Sequence, residues 1–511
     1  MMGRHKGKQE KLFHYNFCLE DRVRSDHPLR KVAGLIDFDF IYDEVKDKYG
    51  NKGNVSVPPP VILKLMLLLV FYNVRSEREL MNTLPERLDW LWFLGYDLDS
   101  DIPDHSVLSK ARKRWGVEAF KFFFERIVWQ CVEAGLIDGK KIFMDSSLVD
   151  ADASTNSVID TKNIRHRLKK NYKQLEARLE EKDTGPHSEV NKRYISRTDP
   201  DAAIVRRGKP KLRYQVHRAV DGENEIITAT STTPGDVNEA HEMISLIDQH
   251  EKLTEVTVDT AIADSKYGTI DNFLACSDQD IKAHIPDLHR AKGTKQKIFD
   301  QDKFEYDPVN DVYYCPAGNI MKRRALHTKR QSIDYGAPRK VCAACELRDQ
   351  CTKNKAGRTI KRHLRQEELD QMRLASSSPT AKRDIKTRQH LMERSFARGE
   401  RLGIKRARWR GLWRMEIQEF LTCAIQNIQT LISRSGPKKV AAVNAVKGQA
   451  RKVASQRAKI GILPLVEAIF GIINGMMANI QNYWEMLVSS NLFACTNLKH
   501  LKQMWAQVSM S

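Results

Sequence analysis

The order of apolar and polar positions changes character along the chain, and each change predicts an element. Behind the triple proline at 58–60, VILKLMLLLVFYNV is an almost unbroken apolar run interrupted by Lys64. At about 14 residues it is too short to span a bilayer and predicts a helix buried in a core. SERELMNTLPERLDWLWFLG continues at helical spacing. DIPDHSVLSKARKRWG offers Asp104 or Ser106 as an N-cap before a short basic helix, and VEAFKFFFERIVWQCVEAGL is amphipathic. Residues 1–138 are thus expected to form a helical domain.

From 139 the period shortens toward that of strands. Ile142-Phe143-Met144 leads into Asp145, which reads as a buried strand delivering one carboxylate at its end. After a highly charged insert, expected to be part helix and part loop, LRYQVHRAVD and ENEIITATSTTP predict antiparallel strands joined at Asp221-Gly222. DVNEAHEMISLIDQHEKL predicts a helix, EVTVDTAIAD a strand, and SKYGTIDNFLACSDQ a turn into a helix. This succession fits an α/β fold, a mixed sheet flanked by helices with functional groups at strand ends. Helical pattern returns over 383–432. The expected division is a core of 139–271 and 381–435 interrupted by an insertion at 272–380. Residues 436–511 are expected to be a basic linker and C-terminal helices. Pro464, Gly471, Gly475, Asn474, Asn479 and Asn482 break their apolar stretch, which favours buried or dimer-forming helices and no membrane contact.

Charge adds a partner to this picture. Lys+Arg 85 against Asp+Glu 65 gives +20 and a pI near 9.4, which favours a polyanion such as nucleic acid over an acidic small molecule. The basic helix bearing Lys110, Arg112, Lys113 and Arg114 suits a helix-turn-helix-like reader of DNA, or else the solvated face of a bundle. The start MMGRHKGKQEK holds no apolar core for a leader, so a reducing cytoplasm, beside the nucleoid, is expected, with thiols or metal ligands rather than disulfides. Cys342 and Cys345 in C-x2-C spacing, with Cys351 and Cys315, have the ligand number of a structural Zn²⁺ site; buried thiols are the other reading.

Three carboxylates stand out for chemistry. Asp145 and Asp264 end strand-like segments, and Glu393 lies in a basic helical one. Asp259 competes with Asp264, but the two are an odd number of residues apart and face opposite sides of a strand. Asp150 and Asp152 lie past the apolar run and read as turn residues. Carboxylates from distant elements amid basic sequence suit divalent metals held against a phosphodiester.

FMDSSLVDADAS, TPGDVNEAHE, IADSKYG and ERSFARGERLGIKRARWRGL followed by AIQNIQTL resemble bacterial insertion-sequence transposases of the Asp-Asp-Glu (DDE) class. PPPVILKLMLLLVFYNVRSERELMNTL, DIPDHSVLSKARKRW, YYCPAG and CAACELRDQC are similar to one branch of it. The resemblance implies an RNase-H-like core, interrupted between its second Asp and its Glu, that cuts DNA at an element's ends and joins the 3′ hydroxyls to target DNA. It implies Asp145, Asp264 and Glu393 as catalytic triad, holding two Mg²⁺ (or Mn²⁺) ions. The partners implied are double-stranded DNA, as terminal repeats and target, and a second copy of the chain in a homodimeric synaptic complex. Related enzymes carry a Tyr, an Arg and a later Lys around the Glu helix. Here Arg388 stands five before Glu393, the Tyr is missing, and Glu400 stands where the Lys is expected, so Arg394, Arg398 and Arg401 are candidate phosphate contacts. Arg406, Arg408 and Arg410 are read as contacting DNA, with Trp409 and Trp413 as anchors. A silent DNA-binding descendant, or a metal-dependent nuclease without strand transfer, are the alternatives.

Overall fold

The computed structural model describes residue 2 and residues 18–50, 53–160, 194–206, 208–286 and 298–434. The expected linker and helices at 436–511, and the charged insert from 161 to 193, lie outside the described residues.

The N-terminal part is helical, as its periodicity predicts. It runs through α1 (Leu19–Arg22), α2 (Pro28–Leu35), α3 (Ile41–Val45), α4 (Pro59–Phe71), α5 (Glu77–Thr83), α6 (Leu88–Leu94), α7 (Ser106–Trp115) and α8 (Glu118–Glu133). Prolines in the first turn of α4 cost nothing, since the N–H they lack would have no partner there. Every residue of α4 from Val61 to Val70 is buried except Lys64. That ammonium donates to Phe93 O at 2.9 Å and lies over the Phe38 and Phe93 rings, so one cation is accommodated in an apolar helix. Among the described residues no helix is long and apolar enough to cross a membrane.

The central sheet is mixed and flanked by helices, as the succession of elements predicts. Its long strands are β1 (Lys141–Asp150), β5 (Lys211–Asp221) and β6 (Ile227–Pro234); β7 (Thr260–Ile262) and β8 (Lys282–His284) are short. The order is β6-β5-β1-β7-β8, antiparallel across β6, β5 and β1 and parallel across β1, β7 and β8. Between β1 and β5, β2 (Val158–Asp160) pairs β3 (Tyr194–Ser196), and β4 (Ala203–Val205) pairs the start of β5. Helices α9 (Met243–Thr254) and α10 (Ile270–Asp278) cover one face, in a core with Ile142, Met144, Ala219 and Ala261.

A second sheet, wholly antiparallel, fills the insertion in the order β13-β12-β11-β10-β9. Its strands are β9 (Glu305–Asp307), β10 (Val312–Tyr314), β11 (Ile320–His327), β12 (Ser332–Gly336) and β13 (Thr359–His363). Two short helices, α11 (Arg339–Ala343) and α12 (Arg348–Cys351), separate β12 from β13. The chain then returns through α13 (Gln366–Ser376), α14 (Pro379–Arg401) and α15 (Leu412–Arg434). Helix α15 packs on α8, α4 and β6 and joins the helical part to the sheet.

Two boundaries differ from expectation. The insertion is narrower than 272–380, because β8 is a strand of the central sheet and α10 and α13 pack on it. A three-residue strand buried between helices leaves too little pattern to be read as one. Strand β1 also runs on past Asp145 to Asp150, since β5 supports it along Ser146–Asp150 although β7 pairs it only as far as Phe143.

Candidate active site

Asp145 and Asp264 come together through strand register. Phe143 pairs Ile262 at the last rung of the parallel β1–β7 ladder, and Asp145 and Asp264 each stand two residues beyond it. Adjacent strands lie about 4.8 Å apart, so the carboxylates share one end of the sheet. There β7 leaves the ladder: Asp264 caps a short 3₁₀ turn, Ser265–Tyr267, its Oδ1 accepting from Lys266 N–H at 2.9 Å. Asp145 Oδ1 accepts from Ser146 N–H at 2.8 Å, and its Oδ2 from Arg388 Nη1 at 2.6 Å. Burial raises the Asp145 pKa, Arg388 pulls it back, and Asp264 adds to the rise, so the two acids feel one another.

Glu393 is not brought to this pair. Leu391, Met392, Ser395 and Gly399 turn the buried side of α14 inward. Glu393 lies on the exposed side, accepting from Gln389 Nε2 at 3.1 Å. Five residues on a helix make about 500°, so Glu393 projects about 140° away from Arg388. Among the described residues no three His, Cys, Asp or Glu side chains are spaced to hold a metal ion as they stand.

An acid that periodicity did not single out does reach the same end of the sheet. Glu239, in the turn after β6, is 4% exposed. It accepts from Ser146 Oγ and from Gln215 Nε2 and pairs with Lys266, two residues from Asp264. The buried phenol of Tyr267 is pushed well up by burial and then by the charges of Glu239, Asp145 and Asp264, all three near enough to act on it. The available signal was an acid directly after a hairpin at the sheet's carboxyl end.

The basic residues divide into surface and interior. Lys110, Lys113, Arg114 and Arg401 are exposed. Arg394 and Arg398 share Glu225 at 2.6 and 2.7 Å, and Arg406 and Arg410 share Asp152 at 2.8 and 3.5 Å, all with exposed faces. Arg112 and Arg408 correct the sequence reading. Arg112 is 2% exposed, paired with Glu77 and stacked over Trp409 at 3.9 Å, and Arg408 donates to Asn73 Oδ1 at 2.6 Å and to Val74 O. Both tie α15's approach to the helical part, Arg112 buried and Arg408 half-buried. Trp409, donating to Glu77 Oε1 at 3.1 Å, is the anchor expected of it.

Two family models match the chain. One, described as Transposase domain (DUF772), covers residues 17–114, and the other, described as Transposase DDE domain, covers residues 314–432. Both matched ranges are transposase domains, the second of the DDE class. The DDE match takes in most of the second sheet, α14 with Glu393, and α15, while Asp145 and Asp264 lie outside both matched ranges. No curated protein matches the chain. Among solved structures, it is similar to the piggyBac transposase synaptic complex with hairpin DNA, at 9% identity and a TM-score of 0.32 over 81% of this chain and 79% of that one. That likeness is too low to bear on fold or chemistry.

Proposed function

We propose that this transposase cleaves phosphodiester bonds at the ends of an insertion sequence and joins the 3′ hydroxyls to target DNA by metal-dependent in-line displacement. The observation that carries the proposal is the pairing of β1 with β7, which makes neighbours of Asp145 and Asp264, 119 positions apart by number (264 − 145). Their hard oxygen donors fit Mg²⁺ or Mn²⁺, and Asp145 Oδ2 already holds a cation, the Arg388 guanidinium. When bound, two divalent ions supply activation of the attacking hydroxyl and stabilisation of the leaving oxygen. The chain's own part is to fix the carboxylates: Ser146 N–H orients Asp145, and Lys266 N–H orients Asp264. Arg388, released from Asp145, is placed to take a DNA phosphate.

In this reading Glu393 is the third acid, and α14 reorganises on DNA to bring it in. The same movement withdraws Arg388, because both cannot face the sheet at once. A specific observation favours a second candidate for that role: Glu239 is already buried between Ser146 and Lys266. The exposed cations Lys110, Lys113, Arg114 and Arg401, with Arg394, Arg398, Arg406 and Arg410, provide a surface for DNA, and synapsis of two ends calls for a homodimer. The test is incubation with Mg²⁺ and a supercoiled plasmid carrying the element's two ends. Joined products absent with D145N support the proposal; cut products alone indicate a nuclease, and binding alone a silent descendant.

A further inference from the structure

The second sheet carries a cluster that phosphodiester chemistry does not use. Cys315 lies in the turn after β10, where Gly318 N–H donates to Cys315 O at 2.7 Å and Cys315 N–H to Asn319 O at 3.0 Å. Cys342 lies in α11, Cys345 follows that helix, and Cys351 ends α12. Cys315 stands 27 positions before Cys342 (342 − 315), yet all four thiols line one cavity of about 30 Å³. None is in a disulfide. Cys315, Cys342 and Cys345 all add to the rise that burial gives the Cys351 pKa, another sign of how close they lie. Gly357, at φ +96°, passes so near that a Cβ there would stand 2.9 Å from Cys342 Sγ.

The surrounding structure needs a tie. The sheet's core is six buried side chains, Phe304, Tyr313, Met321, Tyr335, Ala337 and Ile360. Helices α11 and α12 are five and four residues long and bury none of their residues. Helices so short have no stability of their own, and small units with little core ordinarily depend on a disulfide or a metal.

We propose that Cys315, Cys342, Cys345 and Cys351 bind one structural Zn²⁺, which ties α11 and α12 to the β10–β11 turn. Four thiols give up four protons to solvent as four S–Zn bonds form, leaving a centre of net charge −2. Arg348 and Arg358, which line the same cavity, offset that charge. Tetrahedral Zn–S bonds are about 2.3 Å; as they stand the four thiols are not spaced to hold an ion, so the proposal requires their side chains to turn toward a common point of the cavity as zinc binds.

The test uses the full chain, dialysed against EDTA to strip magnesium sites and then analysed for metal. About one zinc per chain is expected, released when a mercurial titrates the thiols. C345S and C342S are expected to lose it, while C276S, altering a buried thiol of the central core, keeps it. Because a cysteine variant can fail to fold, the wild-type chain is also reconstituted with Co²⁺. Thiolate-to-cobalt charge transfer with intense tetrahedral d–d bands is the expected spectrum. Less than about half an equivalent of zinc in folded wild-type protein, or a cobalt spectrum without thiolate bands, overturns the proposal.

Discussion

Arg388 Nη1 stands 2.6 Å from Asp145 Oδ2, so a side chain of α14 occupies one carboxylate oxygen of this acid. A guanidinium there competes with a divalent cation for the same acceptor. R388M should therefore tighten Mn²⁺ binding about fivefold, the equivalent of about 1 kcal/mol for a partly exposed pair. Titration followed by the loss of free-Mn²⁺ paramagnetic signal measures this. Unchanged or weaker affinity would mean that Arg388 does not exclude the ion.

The two strand-end acids should be indispensable and the fold indifferent to their charge. D145N and D264N should each lower strand cleavage on the order of 10³-fold or more while end binding in a gel-shift assay persists. Loss of end binding together with cleavage would point to a structural role.

Glu393 and Glu239 make opposite forecasts. E393Q alters an exposed side chain and should leave the melting temperature unchanged while abolishing cleavage. E239Q removes charge-assisted bonds to Lys266 and Ser146 in the interior, and should cost about 1–3 kcal/mol of stability in urea unfolding. Full cleavage by E393Q alongside none by a folded E239Q would transfer the third position to Glu239.

Behind Asp145, on the neighbouring strand, Arg218 is fully buried and pairs with Glu419 of α15 at 2.6 Å. E419A strands that charge and should cost about 3–5 kcal/mol, whereas the apolar pair R218M/E419L should recover much of it. Chemical denaturation of the three proteins distinguishes a mutual pair from two independent residues.

Buried histidines set an acid limit. His217, beside Thr233, is pushed by burial to about 4, and burial also lowers His250. Each binds fewer protons folded than unfolded, so their contribution is complete above the unfolded pKa and is lost as pH falls through it toward the folded one. His217 alone should cost about 2 kcal/mol between pH 7 and pH 5. Urea unfolding at the two pH values, compared with H217N, isolates the share of this residue.

Much of this was legible along the chain. The buried run before Asp145, the β5–β6 hairpin and the apolar α4 follow from period and punctuation, because each carries enough residues to show a pattern. Strand β8 does not, having only three residues. The facing of α14 was half legible: Leu391 and Met392 mark its inner side, but the acidic character of Glu393 does not reveal that it lies on the exposed side. Arg112 and Arg408 read as DNA contacts because their partners, Glu77 and Asn73, are far off in sequence. Only tertiary structure distinguishes an interior cation from a surface one.

A crystal of the chain soaked in Mn²⁺ and measured at the manganese absorption edge tests the central claim most directly. The account predicts an anomalous peak within about 2.2 Å of one oxygen each of Asp145 and Asp264, with Arg388 swung away. A map without that peak, Asp145 still held by Arg388 at saturating Mn²⁺, would contradict it.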